Sequence, residues 1–278
     1  MNNTPYTPPN NLDPERLKDY INTHAESQYL LIDVRQPAEY QLGHIPGAKL
    51  MPLLELESKL FDLPTDQDIV FYCRSGSRSL TAAVLAQEAE VTGGQVYNLS
   101  GGIMNWYGKT LQAFPKVQLF DQAANIDDLL YTAMDLEKGA WRYYQFILKN
   151  FSSEPYIATY DILSKAESAH AKAIYALWKN NRQDPAPFDR VFDELPGEIL
   201  EGGQPLENAL QQLASIDGDT CMNLIELSLN IEYSAFDLYR SIADRTEERE
   251  ARKAFLSIAQ AEKGHMRALA RAIEYCRA

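Results

Sequence analysis

Two sets of residues in this chain have the types and spacing to do chemistry. In the second half, Glu137 is followed thirty residues later by Glu167 with His170 three beyond, and the pattern recurs as Glu232, Glu262 and His265. Four carboxylates and two imidazoles without a thiolate form an oxygen-rich donor set suited to iron or manganese, with zinc as a substitute. In the first half, Cys73 ends the apolar run IVFYC and opens RSGSRS, directly ahead of a helical stretch. A thiol between a strand end and a helix N-terminus faces free backbone N–H groups and the positive end of the helix dipole. Arg74 and Arg78 add positive charge, and together these features favour the thiolate, the nucleophilic form.

The elements that must position the glutamates and histidines are helical. Segments 126–150, 156–179, 217–244 and 248–275 carry apolar residues at three- and four-residue spacing and no internal proline. The Pro/Gly-containing stretch from Asn180 to Pro205 divides them two and two, which predicts a four-helix bundle with one long central connection. Counting from Glu137 to the helix end and from the next helix start to Glu167 gives about 20 Å and about 18 Å at ~1.5 Å per residue, so an antiparallel hairpin sets the two glutamates at one height. The same count aligns Glu232 with Glu262. Each histidine, three residues after its glutamate, shares its helix face. Residues around the ligands also match at equal offsets: Trp141 with Phe236, Tyr144 with Tyr239, Tyr160 with Phe255, Leu163 with Ile258. Two hairpins related by such a repeat bring six ligands to the bundle centre. Four carboxylates there demand cations, because an unpaired buried carboxylate is costly. Tyr144 and Tyr239 fall on the same stripe and are expected to be core residues.

Cys73 belongs to a region of different period. Strands are predicted at Tyr29–Val34, Ile69–Cys73 and Gln95–Leu99, and helices at Asp13–Asn22, Leu53–Leu60 and Ser79–Glu90. That alternation is the order of an α/β domain with a parallel sheet. Cys73 and Arg78 enclose four residues, one fewer than the cysteine and arginine with which protein tyrosine phosphatases wrap a phosphate. The tighter loop fits a persulfide sulfur or thiosulfate.

With 278 residues the chain divides into a mobile tail (1–11), an α/β domain (12–114), a linker (115–125) and an all-α domain (126–278). A net charge of −13 disfavours nucleic acid as a partner. No apolar run approaches the ~18 residues of a membrane span, and no secretory signal opens the sequence. The three cysteines, Cys73, Cys221 and Cys276, are scattered and odd in number, which argues against a disulfide framework and for a cytoplasmic setting. Cys221 and Cys276 are expected to be bystanders.

Three motifs of the first half, LLIDVRQPAEYQLGHIPGA (30–48), CRSGSRS (73–79) and LSGGIMNW (99–106), resemble the single-domain rhodaneses. The resemblance implies that Cys73 takes up sulfane sulfur as a persulfide from a small sulfur-containing substrate and passes it to a thiol acceptor. Arg74, Ser75, Gly76, Ser77 and Arg78 would cradle the sulfur, Asp33 and Arg35 would support the neighbouring loop, and His44 would be structural. Residues 126–275, above all SIAQAEKGHMRAL (257–269), resemble the di-iron domain of the rubrerythrins, within the ferritin-like superfamily. This second resemblance implies two iron ions, bridged by Glu167 and Glu262 with Glu137, His170, Glu232 and His265 terminal. It also implies peroxide reduction or ferrous-iron oxidation, and a homodimer. Two departures stand out. Leu229 and Ala235 occupy the positions three residues from Glu232 where rubrerythrins usually carry a further glutamate, and no four-cysteine rubredoxin segment is present, so an external electron donor is expected. The alternative is an iron-binding or sensing bundle without redox turnover, joined to a rhodanese module that carries sulfur or docks.

Overall fold

The chain folds as two units that divide between Phe114 and Pro115. A computed structural model describes residues 8–121, 123, 125–152 and 154–277. Residues 1–7 of the expected tail lie outside the described residues. The rest of that tail is not free: Asn10–Leu12 forms strand β1, paired in parallel with Val96–Leu99.

In the first unit the elements run β1, α1 (Pro14–Thr23), β2 (Tyr29–Asp33), α2 (Pro37–Leu42), β3 (Lys49–Leu50), α3 (Leu53–Lys59), β4 (Asp68–Tyr72), α4 (Ser77–Glu88) and β5 (Val96–Leu99). The sheet order is β1-β5-β4-β2-β3, and every pairing is parallel. Central strands buried on both faces read as continuous apolar runs, and β2 is buried at all five positions. One face packs Leu30, Ile32, Ile69 and Phe71 with Ala82, Ala83 and Ala86 of α4. The other packs Leu31, Val70 and Tyr72 with Leu17 of α1 and Tyr40 of α2. β4 is the middle strand, so its C-terminal end, where Cys73 follows, opens at the edge where parallel sheets present their loops. The short α2 and the two-residue β3 carry too little periodicity to be read from sequence.

The second unit is built on α5 (Ile126–Asn150), α6 (Ile157–Trp178), α9 (Thr220–Arg245) and α10 (Arg249–Ala272), two antiparallel hairpins of nearly equal length. Asn125 and Asp219 cap α5 and α9 by accepting from Asp128 N and Met222 N at 3.0 Å each. The long connection is not structureless: it contains α7 (Phe188–Glu194) and α8 (Leu206–Ala214), whose buried Phe192, Leu206 and Leu213 join the core. Most of the expected linker belongs to this unit too, since Val117–Phe120 forms a 3-10 turn that buries Phe120 against the bundle. Among the described residues no helix is long and apolar enough to cross a membrane.

Candidate functional site: a thiol loop and a metal centre

Cys73 is buried at the end of β4, and its Sγ accepts a hydrogen bond from Gly76 N at 3.1 Å. Ser79 Oγ lies 3.4 Å from the sulfur and 2.7 Å from Asn98 Oδ1, so its one hydroxyl proton can turn to either. Burial alone would raise the thiol pKa. The Ser79 hydroxyl and the backbone N–H groups of Ser79, Ser75 and Gly76 outweigh it and hold the thiol below its ordinary value. Gly76 makes the turn at φ 97°, a left-handed conformation that side chains disfavour, and a Cβ there would also meet Gly101 N. The SGG segment is therefore the floor of the loop: Ile103 N donates to Cys73 O and Met104 N to Arg74 O.

The five residues expected to form the cradle divide. Arg74, Ser75 and Ser77 are exposed around the rim, and Gly76 aims its amide at the sulfur. Arg78 makes a two-pronged ion pair with Glu39 at 2.7 and 2.8 Å, a partner that the sequence did not single out. The Arg78 guanidinium holds the Glu39 carboxyl down at about 2 and keeps its own place beside the loop. Asp33 and Arg35 form a buried fork beside Tyr72, the residue before Cys73, with Arg35 Nε and Nη2 on Asp33 at 2.6 to 2.9 Å and Nη2 also on Gly43 O. His44 stacks on Tyr40, fully buried, as a structural residue.

In the helical unit all six sequence-predicted ligands converge. Glu137 and Tyr144 lie on the buried stripe of α5, Glu232 and Tyr239 on that of α9. Each histidine turns Nδ1 inward. His170 Nδ1 is 3.2 Å from Glu137 Oε2, 3.2 Å from Glu167 Oε2 and 3.4 Å from Glu262 Oε1. His265 Nδ1 is 3.0 Å from Glu232 Oε2, 2.9 Å from Glu262 Oε2 and 3.5 Å from Glu167 Oε1. Glu167 and Glu262 thus each offer one oxygen to either imidazole, whereas Glu137 and Glu232 each meet one. Burial opposes charge on His265, but Glu232 and Glu167 outweigh it and lift the imidazole to about 9. Burial pushes Glu167 up to about 7 against the pull of His265 and His170. Without a cation the cage holds protons. The four carboxylates match the charge of two divalent ions, and the donors are those that hard cations select, so the residues fit a di-metal centre.

Three features go beyond the sequence reading, and the second of them overturns it. Tyr144 and Tyr239 are buried core residues as expected, and their hydroxyls also bond carboxylates: Tyr144 donates to Glu232 and Tyr239 donates to Glu137, each reaching across to the other hairpin. Burial, then carboxylate charge, keeps both phenols protonated and donating. Cys221 and Cys276 are not bystanders but form a disulfide that ties the first turn of α9 to the C-terminal 3-10 turn. The antiparallel register that aligns Glu232 with Glu262 also brings these cysteines together, and their pairing removes the cysteine-based ground for a reducing compartment. Finally, Glu201, in the connection ahead of α8, is buried at 2% exposure with Oε2 unpartnered. Burial and the charges of Glu137, Glu167 and Glu232 hold it well above the ordinary carboxylate range.

The rhodanese-like domain family model matches residues 13–109, and the rubrerythrin family model matches residues 223–277, the second helical hairpin. Over 98 residues the chain is 40% identical to a sulfurtransferase of Allochromatium vinosum, covering 35% of this chain and 87% of that protein. It is also 40% identical over 79 residues to the protein YqhL of Bacillus subtilis, covering 28% of this chain and 61% of that one. A human thiosulfate:glutathione sulfurtransferase is 34% identical over 99 residues, covering 31% and 84%. The chain belongs to the rhodanese-like family through its α/β unit and carries a rubrerythrin domain in its helical unit.

Proposed function

We propose that the chain joins a sulfurtransferase acting through Cys73 to a di-iron carboxylate centre that reduces peroxide or oxidises ferrous iron. The hydrogen bonding at Cys73 Sγ supports the first part: backbone donors that hold a thiolate also hold an anionic sulfur one bond further out. The Cys73 thiolate attacks the sulfane sulfur of thiosulfate, the S–S bond breaks, and sulfite leaves with the electron pair. An acceptor thiolate then attacks the outer persulfide sulfur and releases Cys73 as thiolate. The human relative's name points to thiosulfate and glutathione as the pair to test first.

The observation that carries the second part is that Glu167 and Glu262 each address both imidazoles while Glu137 and Glu232 address one, so the first two could serve both of two ions and the others one each. Glu137 with His170 and Glu232 with His265 would hold one ion each. Two iron ions bound there would supply paired one-electron chemistry toward peroxide or ferrous iron. Tyr144 and Tyr239 fix the terminal carboxylates, and burial limits water at the centre. Electrons would come from an external donor.

Thiosulfate should add one sulfur to the protein by intact mass, and Cys73→Ser should abolish the addition while two metal ions per chain remain. Anaerobic ferrous loading followed by peroxide should give repeated turnover with a reductant. A single stoichiometric oxidation would instead favour storage or sensing.

A further inference from the structure

The connection between the hairpins does more than cross the bundle. Residues 197–205 form a tight hairpin: Ile199 bridges Pro205, Leu200 N donates to Gln204 O at 2.9 Å, and Leu206 N donates to Glu198 O at 2.8 Å. Arg142 Nη1 clamps the carbonyls of Pro196 and Gly197 at 2.5 and 3.0 Å, and Asp135 Oδ1 accepts from Gly197 N at 2.7 Å. The hairpin is pressed against both helices that carry the terminal glutamates. On α5, a Cβ at Gly139, two residues from Glu137, would run into Ile199 O. Toward α9, a Cβ at Gly202 of the hairpin would lie 3.1 Å from that of Ser234, two residues from Glu232. Glu201 sits between these two points of contact, buried, with one carboxylate oxygen unpartnered and within the electrostatic reach of Glu137, Glu167 and Glu232.

We propose that Glu201 is a fifth carboxylate ligand of the di-metal centre, delivered by the crossover hairpin on the side of the terminal glutamates. The inference rests on the six-residue metal reading above and adds a donor from outside the repeat. A buried carboxylate oxygen with no hydrogen-bond donor is unfavourable, and a cation beside Glu137 or Glu232 would satisfy it. Within α9 the positions three residues to either side of Glu232 are Leu229 and Ala235, so the helix supplies no such carboxylate itself. A hairpin fastened to α5 by Arg142 and Asp135 holds the donor in place with little freedom to lose on binding.

Cobalt(II) is the probe, bound to the full chain and read by its ligand-field absorption and by competition with a chelator. Glu201→Gln keeps the side-chain size and removes the anionic oxygen, and Glu201→Asp keeps the charge but withdraws it by one methylene. Two cobalt ions should bind the wild type. Each variant should change the ligand-field spectrum and weaken one of the two ions by about tenfold or more, with helical content unchanged by circular dichroism. If the wild type takes up two ions and both variants match it in spectrum and affinity, Glu201 is only a protonated core residue and the inference falls while the six-ligand reading stands. If the wild type binds no cobalt, both fall.

Discussion

The two candidate centres solve opposite electrostatic problems. The loop at Cys73 is built from donors: backbone N–H groups, a serine hydroxyl and a nearby arginine converge on one sulfur, so the loop is ready for an anion before any ligand arrives. The bundle is built from acceptors: four carboxylates and two inward-turned nitrogens converge on a space that only cations or protons can satisfy. Backbone donors come with the local fold and need few particular side chains. An acceptor cage has to be assembled from side chains on four helices, and each one counts.

The sharpest way to break this contrast is at the single atom on which the loop depends. Cys73→Ser should reduce thiosulfate-dependent sulfur transfer to background, with iron content per chain unchanged. Next in size is the asymmetry between bridging and terminal carboxylates. Glu262→Gln should leave little of either ion bound by elemental analysis, whereas Glu137→Gln should leave one of the two.

The pH dependence of stability separates a cage full of protons from one full of metal. Folding lifts His265 to about 9, so its contribution in the metal-free protein is complete below its unfolded value and lost as pH rises through about 9. Glu167, raised to about 7, is favoured in its protonated form, so its ionisation also costs stability as pH climbs from the ordinary carboxylate range through about 7. The melting temperature of the metal-free protein should therefore fall from pH 6 to 9, while metal affinity rises as protons cease to compete. A metal-free melting temperature that rises over this range would contradict the cage described. The smallest effect is expected at the tyrosines. Tyr144→Phe should weaken one ion by about tenfold, and that ion should be the one held by Glu232 and His265, although Tyr144 belongs to the first hairpin.

What was legible in the sequence follows the same division. Cys73, its loop and the strand before it are contiguous, so one stretch of chain displays the chemistry. The six candidate metal ligands are dispersed, yet the rise of a helix is regular enough that equal spacing placed them at one level. Tyr144 and Tyr239 were on the same stripe, two turns along, but periodicity places a ring on a face without saying whether its hydroxyl meets a carboxylate. Glu39 was invisible as a partner of Arg78 because only the fold of α2 beside α4 brings them together. Glu201 lies in a Pro/Gly-containing stretch with no period at all, and only the tertiary approach of Ile199 to Gly139 brings that stretch against the bundle. The Cys221–Cys276 pair was readable in principle from the register of the second hairpin, and scatter along the chain was the wrong measure of distance.

The exchange of tyrosines between hairpins bears on how such a cage originates. Glu137, Tyr144, Glu167 and His170 on one helix pair correspond to Glu232, Tyr239, Glu262 and His265 on the other, and each pair completes its neighbour's surroundings. A lone helix pair meeting its own copy would hold every side chain the six-ligand cage uses. The covalent crossover has no twin in the repeat, and the proposed ligand Glu201 is its contribution. A difference in character between the two halves of the cage can therefore come from the segment that turned a symmetric pair into a single chain.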